Sequence, residues 1–141
     1  MAFIKKMTSD SDIAETFSLI KQLRPHLQED EYAAKIKNLQ DLYGYNLVAI
    51  VEEGQIKSAA GYKITESLAW GKYLYVDDLI TDNNSRSNGY AKLLIDWLEL
   101  EAKNNNCEQL HLDSGVQRHV AHRFYLNRTM DITGYHFQKT L

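Results

Sequence analysis

Cysteine and proline are nearly absent, long apolar runs are missing, and each shortage closes off a class of protein. One cysteine, Cys107, in 141 residues excludes an intrachain disulfide framework and fits a reducing compartment. It reads as a small buried hydrophobe rather than a nucleophile. Nowhere do about 18 apolar residues run together, the length a membrane-crossing helix needs, and the opening MAFIKKMTSD lacks the apolar centre of an export signal. A cytoplasmic protein with no membrane partner is expected. Net charge is also small: a formal −3 argues against an extended grip on nucleic acid. No repeat, linker or low-complexity segment interrupts the chain. The apolar content of 44% is ample for a core at this length, so one domain over residues 1–141 is expected.

Several chemical signatures are missing as well. No Gly-Lys-Ser/Thr closes a P-loop, no triple glycine makes a dinucleotide fingerprint, and no Gly-x-Ser-x-Gly elbow supports reading Asp113-Ser114 as part of a hydrolase triad. His119 and His122 lie three apart on an expected helix. Without a nearby Cys or Glu they complete no zinc signature, so no metal is expected.

The order of elements follows from apolar spacing and punctuation. Phe3 and Ile4 suggest a first strand. Thr8-Ser9-Asp10-Ser11-Asp12 offers N-caps for a helix carrying Ile13, Phe17, Ile20 and Leu23, which Pro25, the only proline, breaks near Arg24. A second helix is expected from Glu29 to Leu42, ended by Gly44. Asn46 to Val51 and Ile56 to Thr65 read as a hairpin about Glu52-Glu53-Gly54-Gln55, and Lys72 to Thr81 as a third run. From Gly89 onward Leu93, Leu94, Trp97, Leu98 and Ala102 recur at helical intervals up to Asn104-Asn105-Asn106. Gln109 to Leu112 then reads as a strand, Val116 to Arg128 as a helix and Ile132 to Thr140 as a closing strand. The sum is an α/β chain of order β-α-α-β-β-β-α-β-α-β.

Between the third run and the long helix lies Arg86-Ser87-Asn88-Gly89-Tyr90-Ala91. A glycine there lets the backbone come close to a ligand, and the first free N–H groups of the helix point at any anion the helix dipole favours. The structural alternative is a glycine that makes only a tight turn. The segment fits Arg/Gln-x-x-Gly-x-Gly/Ala and resembles the acyl-coenzyme A pyrophosphate loop of the Gcn5-related N-acetyltransferases. Asp77-Asp78-Leu79-Ile80-Thr81 and Ala121-His122-Arg123-Phe124-Tyr125 are similar to the same family, and the element order agrees over nearly the whole chain.

The resemblance implies a single acetyltransferase-like domain with a mixed, mostly antiparallel sheet flanked by helices, and acetyl-coenzyme A as co-substrate. The pyrophosphate would meet Arg86, Ser87, Asn88, Gly89, Tyr90, Ala91 and Lys92. Leu79, Ile80 and Thr81 would line the pantetheine arm, where the strand before the cradle parts from the strand after the next helix. Tyr125, the last residue of the A-x-x-[LF]-Y match, would protonate the departing thiolate, as a phenol with a pKa of about 10 can at neutral pH. An amine must lose a proton before it attacks, which makes Asp77 and Asp78 the candidate bases. Successive strand residues point to opposite faces, so only one of them serves unless the strand is bulged.

The chain departs from the family pattern at Arg118, where relatives carry asparagine, and at Thr129-Met130, where they carry Gly-Phe. Those departures keep open a non-catalytic acyl-coenzyme A binding or sensing module. The expected acceptor is a small-molecule amine or a protein amine, and the expected state a monomer or homodimer.

Overall fold

The computed structural model describes residues 1–141, which divide into two compact units, Met1–His111 and Leu112–Leu141. The first unit is built on a sheet of order β1-β2-β3-β4-β5. Its strands are β1 (Phe3–Lys6), β2 (Asn46–Glu52), β3 (Gln55–Ser67), β4 (Gly71–Thr81) and β5 (Gln109–Leu112), whose last residue begins the second unit. The pairs β1·β2, β2·β3 and β3·β4 are antiparallel. Glu53 and Gly54 both take positive φ, 54° and 74°, as a two-residue hairpin turn between twisted strands requires.

The expected first helix is two, α1 (Asp10–Glu15) and α2 (Phe17–Leu23). The interruption falls at Thr16, whose buried hydroxyl turns back to the Ile13 carbonyl at 2.6 Å and also meets the Tyr32 hydroxyl at 2.7 Å. Local side-chain bonding of this kind competes with the helical ladder. Helix α2 stops at Leu23 with Arg24 as its C-cap, one residue before proline. Helix α3 (Glu29–Tyr43) begins on three acids, favoured by the helix dipole, and ends at Gly44 in the left-handed region.

These three helices bury one face of the sheet: Ile13, Phe17, Leu19, Ile20, Tyr32 and Ile36 pack with Leu47, Ala49, Ala59 and Ile80. Helix α4 (Tyr90–Asn104) covers the other, burying Leu94, Ile95, Leu98 and Ala102. There Tyr62 donates to Glu101 and sets its ring against Trp97. Because α4 returns the chain from the end of β4 to the start of β5, those two strands run parallel. The Glu108 N–H donates to the Lys72 carbonyl at 2.7 Å, beside the beginning of β4. Strand β5 is four residues long against eleven in β4, about 13 Å against about 36 Å. It therefore ends well short of Thr81.

The second unit holds α5 (His119–Asn127). The helix starts later than the expected Val116 because Val116 and Gln117 lie in a turn closed by the Arg118 N–H on the Gly115 carbonyl. Its end is a left-handed cap in which Met130 N–H reaches the Tyr125 carbonyl and Thr129 N–H the Leu126 carbonyl. The residue at the left-handed position is Thr129, with φ of 60°. The expected closing strand, Ile132 to Thr140, does not form: residues 130–141 belong to no helix or strand, and Ile132, Tyr135 and Phe137 are 73%, 87% and 92% exposed. Strand propensity is a fit to a half-buried, paired surface, and this segment has neither a ladder nor a buried face.

A β-branched residue at positive φ is strained where glycine is not, by about 1–2 kcal/mol. Thr129→Gly should stabilise the protein by about 1 kcal/mol after glycine's greater unfolded-state entropy is subtracted. Chemical denaturation of the two proteins measures it, and a destabilised variant would show that Thr129 is held by something other than its backbone.

Candidate functional site

The register of β3 against β4 slips at one place. Gly61 pairs with Asp78 and Tyr62 with Val76, so Asp77 is an extra residue on β4. A bulge of this kind turns consecutive side chains out of strict alternation. Asp78 shares the α1–α3 face with Ile80, while Val76 opposite Tyr62 belongs to the α4 face. Asp77 also reaches the α1–α3 face, where its Oδ2 lies 3.6 Å from the Lys63 ammonium. The two aspartates, which regular alternation would separate, thus stand on one side of the sheet.

Their surroundings differ. Asp78 accepts from Arg24 Nε at 2.9 Å on one oxygen and from the Tyr45 hydroxyl at 2.8 Å on the other. Arg24 also donates through Nη2 to the Asp77 carbonyl at 2.9 Å. Burial, reinforced by the Asp78 charge, holds the Tyr45 phenol far above its ordinary pKa, so it remains a donor. Asp77 is held less tightly: its Oδ2 makes no hydrogen bond and faces only the Lys63 ammonium, 3.6 Å away. Burial raises its pKa and the Asp78 charge adds to this, while Lys63 and Arg24 pull it down. A carboxyl with a raised pKa and an oxygen that accepts no hydrogen bond can take a proton. One whose two oxygens are both engaged is better suited to hold a strand in place.

Past Thr81 the chain leaves the sheet. Asp82 N–H is tied to the Lys57 carbonyl, and a short turn over Asn83–Ser85 leads to Arg86. Ser87 and Gly89 take positive φ, 68° and 80°. A left-handed residue followed by a helical one turns successive N–H groups toward one concavity, an arrangement suited to anions. Gly89, the N-cap of α4, supplies no side-chain cap, and a Cβ there would meet nothing within 4 Å. Glycine is thus favoured by its φ and not by crowding. The N–H groups of Asn88, Gly89, Tyr90, Ala91 and Lys92 have no acceptor within the chain.

The side chains around this concavity divide into free and committed. Arg86 is exposed and unpaired. Lys92 points along the helix to Asp96, 3.4 Å away. Tyr90 is buried and donates to Glu52 at 2.6 Å, and Asn88 donates to the Ser85 carbonyl. Leu79, Ile80 and Thr81 lie on β4 between bulge and turn, where β4 has outrun β5. Thr81 and Ser58 share a hydroxyl contact at 3.0 Å.

In the second unit Tyr125 is half-buried. Burial raises its phenol pKa against the opposing charge of Arg118, which keeps it protonated at neutral pH. Arg118 stands at the α5 N-cap and makes no capping bond. His122 is bonded to the Gly115 carbonyl and His136 lies 3.6 Å from Asp113. No group of three or more His, Cys, Asp or Glu converges. Burial raises the Cys107 thiol as well, which disfavours the thiolate.

Sequence reasoning singled out the cradle and both aspartates but missed Arg24 and Tyr45. One signal was present: Gly61, alone inside a strand pattern, marks a bulge or a close approach. It is both, since a Cβ at 61 would overlap the Tyr45 hydroxyl and ring.

Comparison with known proteins gives three findings. The model of the acetyltransferase (GNAT) family matches residues 12–130. The chain is 31% identical over 140 residues to an uncharacterized N-acetyltransferase, YhdJ, of Bacillus subtilis (strain 168), with 99% of each chain covered. Among solved structures, glucosamine-6-phosphate N-acetyltransferase from Arabidopsis thaliana matches with a TM-score of 0.79 at 22% identity, over 99% of this chain and 98% of that one. Aminoglycoside N-acetyltransferase AAC(6')-Iy, in complex with CoA, matches with a TM-score of 0.85 at 15% identity, over 100% and 95%. At such identities the two structures establish likeness of fold.

Gly61→Ala tests the packing beneath the bulge. The added methyl must displace the buried Tyr45 ring, so the variant should lose about 1–3 kcal/mol of stability. Urea denaturation checks it; wild-type stability would mean that Tyr45 is free to move.

Proposed function

We propose, from the premise that this chain belongs to the acetyltransferase (GNAT) family, that it transfers acetyl from acetyl-coenzyme A directly to a primary amine. The observation that carries the reading is the uncapped run of N–H groups over Asn88 to Lys92, placed after a strand whose centre holds a half-buried carboxylate paired only with the Lys63 ammonium at 3.6 Å. In this reading the concavity binds the pyrophosphate, with Arg86 adding charge. The pantetheine lies along Leu79, Ile80 and Thr81, adding to an edge as a strand would. The family match runs across residues 111 and 112, which supports treating 1–141 as one acetyltransferase-like domain. CoA in the complex of the aminoglycoside enzyme supports the choice of donor.

The chemistry needs no metal. Asp77, directly or through water, takes a proton from the acceptor ammonium, and the amine nitrogen attacks the thioester carbonyl. The nitrogen releases its second proton to solvent as the tetrahedral intermediate collapses with cleavage of the C–S bond. Tyr125, assigned through its motif, gives its proton to the thiolate and recovers one from solvent. The products are the amide and coenzyme A thiol. Asp78 serves as a strut and not as a base. The acceptor is a small-molecule or protein amine, and the names of the two enzymes of like fold, acting on glucosamine-6-phosphate and an aminoglycoside, favour the former. The reading takes the protein as a cytoplasmic monomer or homodimer that engages neither nucleic acid nor membrane; the small net charge supports the exclusion of nucleic acid, and no helix is long and apolar enough to cross a membrane.

Calorimetry with acetyl-coenzyme A, followed by thiol release with a panel of amines, tests the reading. Binding in the micromolar range and acceptor-dependent release are expected, and no binding would end it. Binding without release from any amine would instead favour a sensing module. Tyr125→Phe should lower turnover about 10²-fold at saturating donor, in line with the loss of a general acid; unchanged turnover removes Tyr125 from the mechanism.

A further inference from the structure

The end of α2 touches both halves of the proposed site within the first unit. Gln22, on its last turn, uses both ends of its amide. Nε2 donates to the Asp82 carboxylate at 2.9 Å, and Oε1 accepts from Asn83 N–H at 3.2 Å. These two residues are the entrance to the cradle. Arg24, two residues on, binds the Asp78 carboxylate and the Asp77 carbonyl. One short segment thereby holds two regions of chain that lie about sixty and fifty-four residues away. The Arg24 guanidinium makes its two bonds through different nitrogens, Nε and Nη2, which the single nitrogen of lysine cannot reproduce.

We propose that Gln22 and Arg24 are positioning residues that bracket the site: Gln22 sets the cofactor loop and Arg24 the bulge that presents Asp77, so that α2 keeps donor and base in one geometry. This rests on the function proposed above. The arms of the bracket act on different quantities. Gln22 touches no group near the bulge, so its loss loosens only the loop. Arg24 touches no part of the cradle, so its loss leaves the donor in place and disturbs the base.

Arg24 also acts through charge. The groups facing Asp77 are Lys63 from β3, Arg24 from α2, and Asp78 beside it, the last bonded to Tyr45. Removing Arg24 takes away a cation and leaves the Asp78 anion less neutralised. Both changes favour the protonated form of Asp77. The acidic limb of the rate profile should therefore move to higher pH.

Three variants divide the possibilities: Gln22→Leu, Arg24→Met and Arg24→Lys. Acetyl-coenzyme A affinity by calorimetry should fall about 5- to 10-fold in Gln22→Leu and stay within about twofold in Arg24→Met, as expected when a loop contact and a remote one are compared. In Arg24→Met, kcat should fall about 10²-fold, the scale of a misplaced group, and the Asp77 carboxyl should titrate at higher pH by NMR. Arg24→Lys should return the titration toward wild type while kcat stays low, separating charge from geometry. Equal effects of Gln22→Leu and Arg24→Met on donor affinity, or an Arg24→Met protein with wild-type Asp77 titration, would overturn the bracket. A wild-type protein that fails to bind acetyl-coenzyme A sinks the proposed function instead, and the Asp77 titration still judges the Arg24 arm.

Discussion

Asp78 is a half-buried carboxylate whose oxygens are each taken, one by the Arg24 guanidinium and one by the Tyr45 phenol, and the strand around it is arranged to permit this. Hydrogen bonds to an ionised acceptor are about twice as strong as neutral ones, and stripping one partner from a buried charge is costly. The bonds therefore fix where Asp78 sits, and β4 accommodates by carrying Asp77 as an extra residue opposite Gly61 and Tyr62. Gly61 completes the arrangement from β3, because only a residue without a side chain leaves room for the Tyr45 ring. The bulge is thus held from three elements: α2, the segment before β2, and β3.

The cradle downstream depends on that anchoring. Beyond the bulge, Leu79 to Thr81 leave the neighbourhood of the short β5 and lead into a turn tied to β3 through Asp82 and to α2 through Gln22. Helix α4 then fixes the other side. Its buried Leu94, Ile95 and Leu98 each contribute roughly 1.5–3 kcal/mol relative to exposure. That apolar face holds the helix start still, while its polar start keeps N–H groups available. One helix therefore does two things, building the core at its middle and, in the function proposed, a cradle at its start.

Much of the fold was legible locally. The apolar spacing of α4, the glycine ending α3, the Glu53-Gly54 hairpin and the break before Pro25 all obey short-range rules, as does the glycine turn before α4. Three features were not legible in this way. The interruption at Thr16 depends on a hydroxyl shared with Tyr32, sixteen residues away. The absent closing strand shows that alternation in Ile132 to Thr140 specifies a strand only where a neighbour offers a ladder. The bulge is a property of register, which neither β3 nor β4 reveals alone, although Gly61 hinted at it. Local pattern thus located both aspartates, and only pairing shows how differently they are held.

That division of work is the central claim, and the pH dependence of kcat in Asp77→Asn and Asp78→Asn tests it most directly. Because burial raises the Asp77 pKa and the proposed base acts when deprotonated, wild-type kcat should rise with pH along a limb shifted upward from that of an ordinary aspartate. Asp77→Asn should abolish that limb, whereas Asp78→Asn should lower kcat and keep a limb. A limb that survives in Asp77→Asn and vanishes in Asp78→Asn would contradict the claim and reverse the two roles.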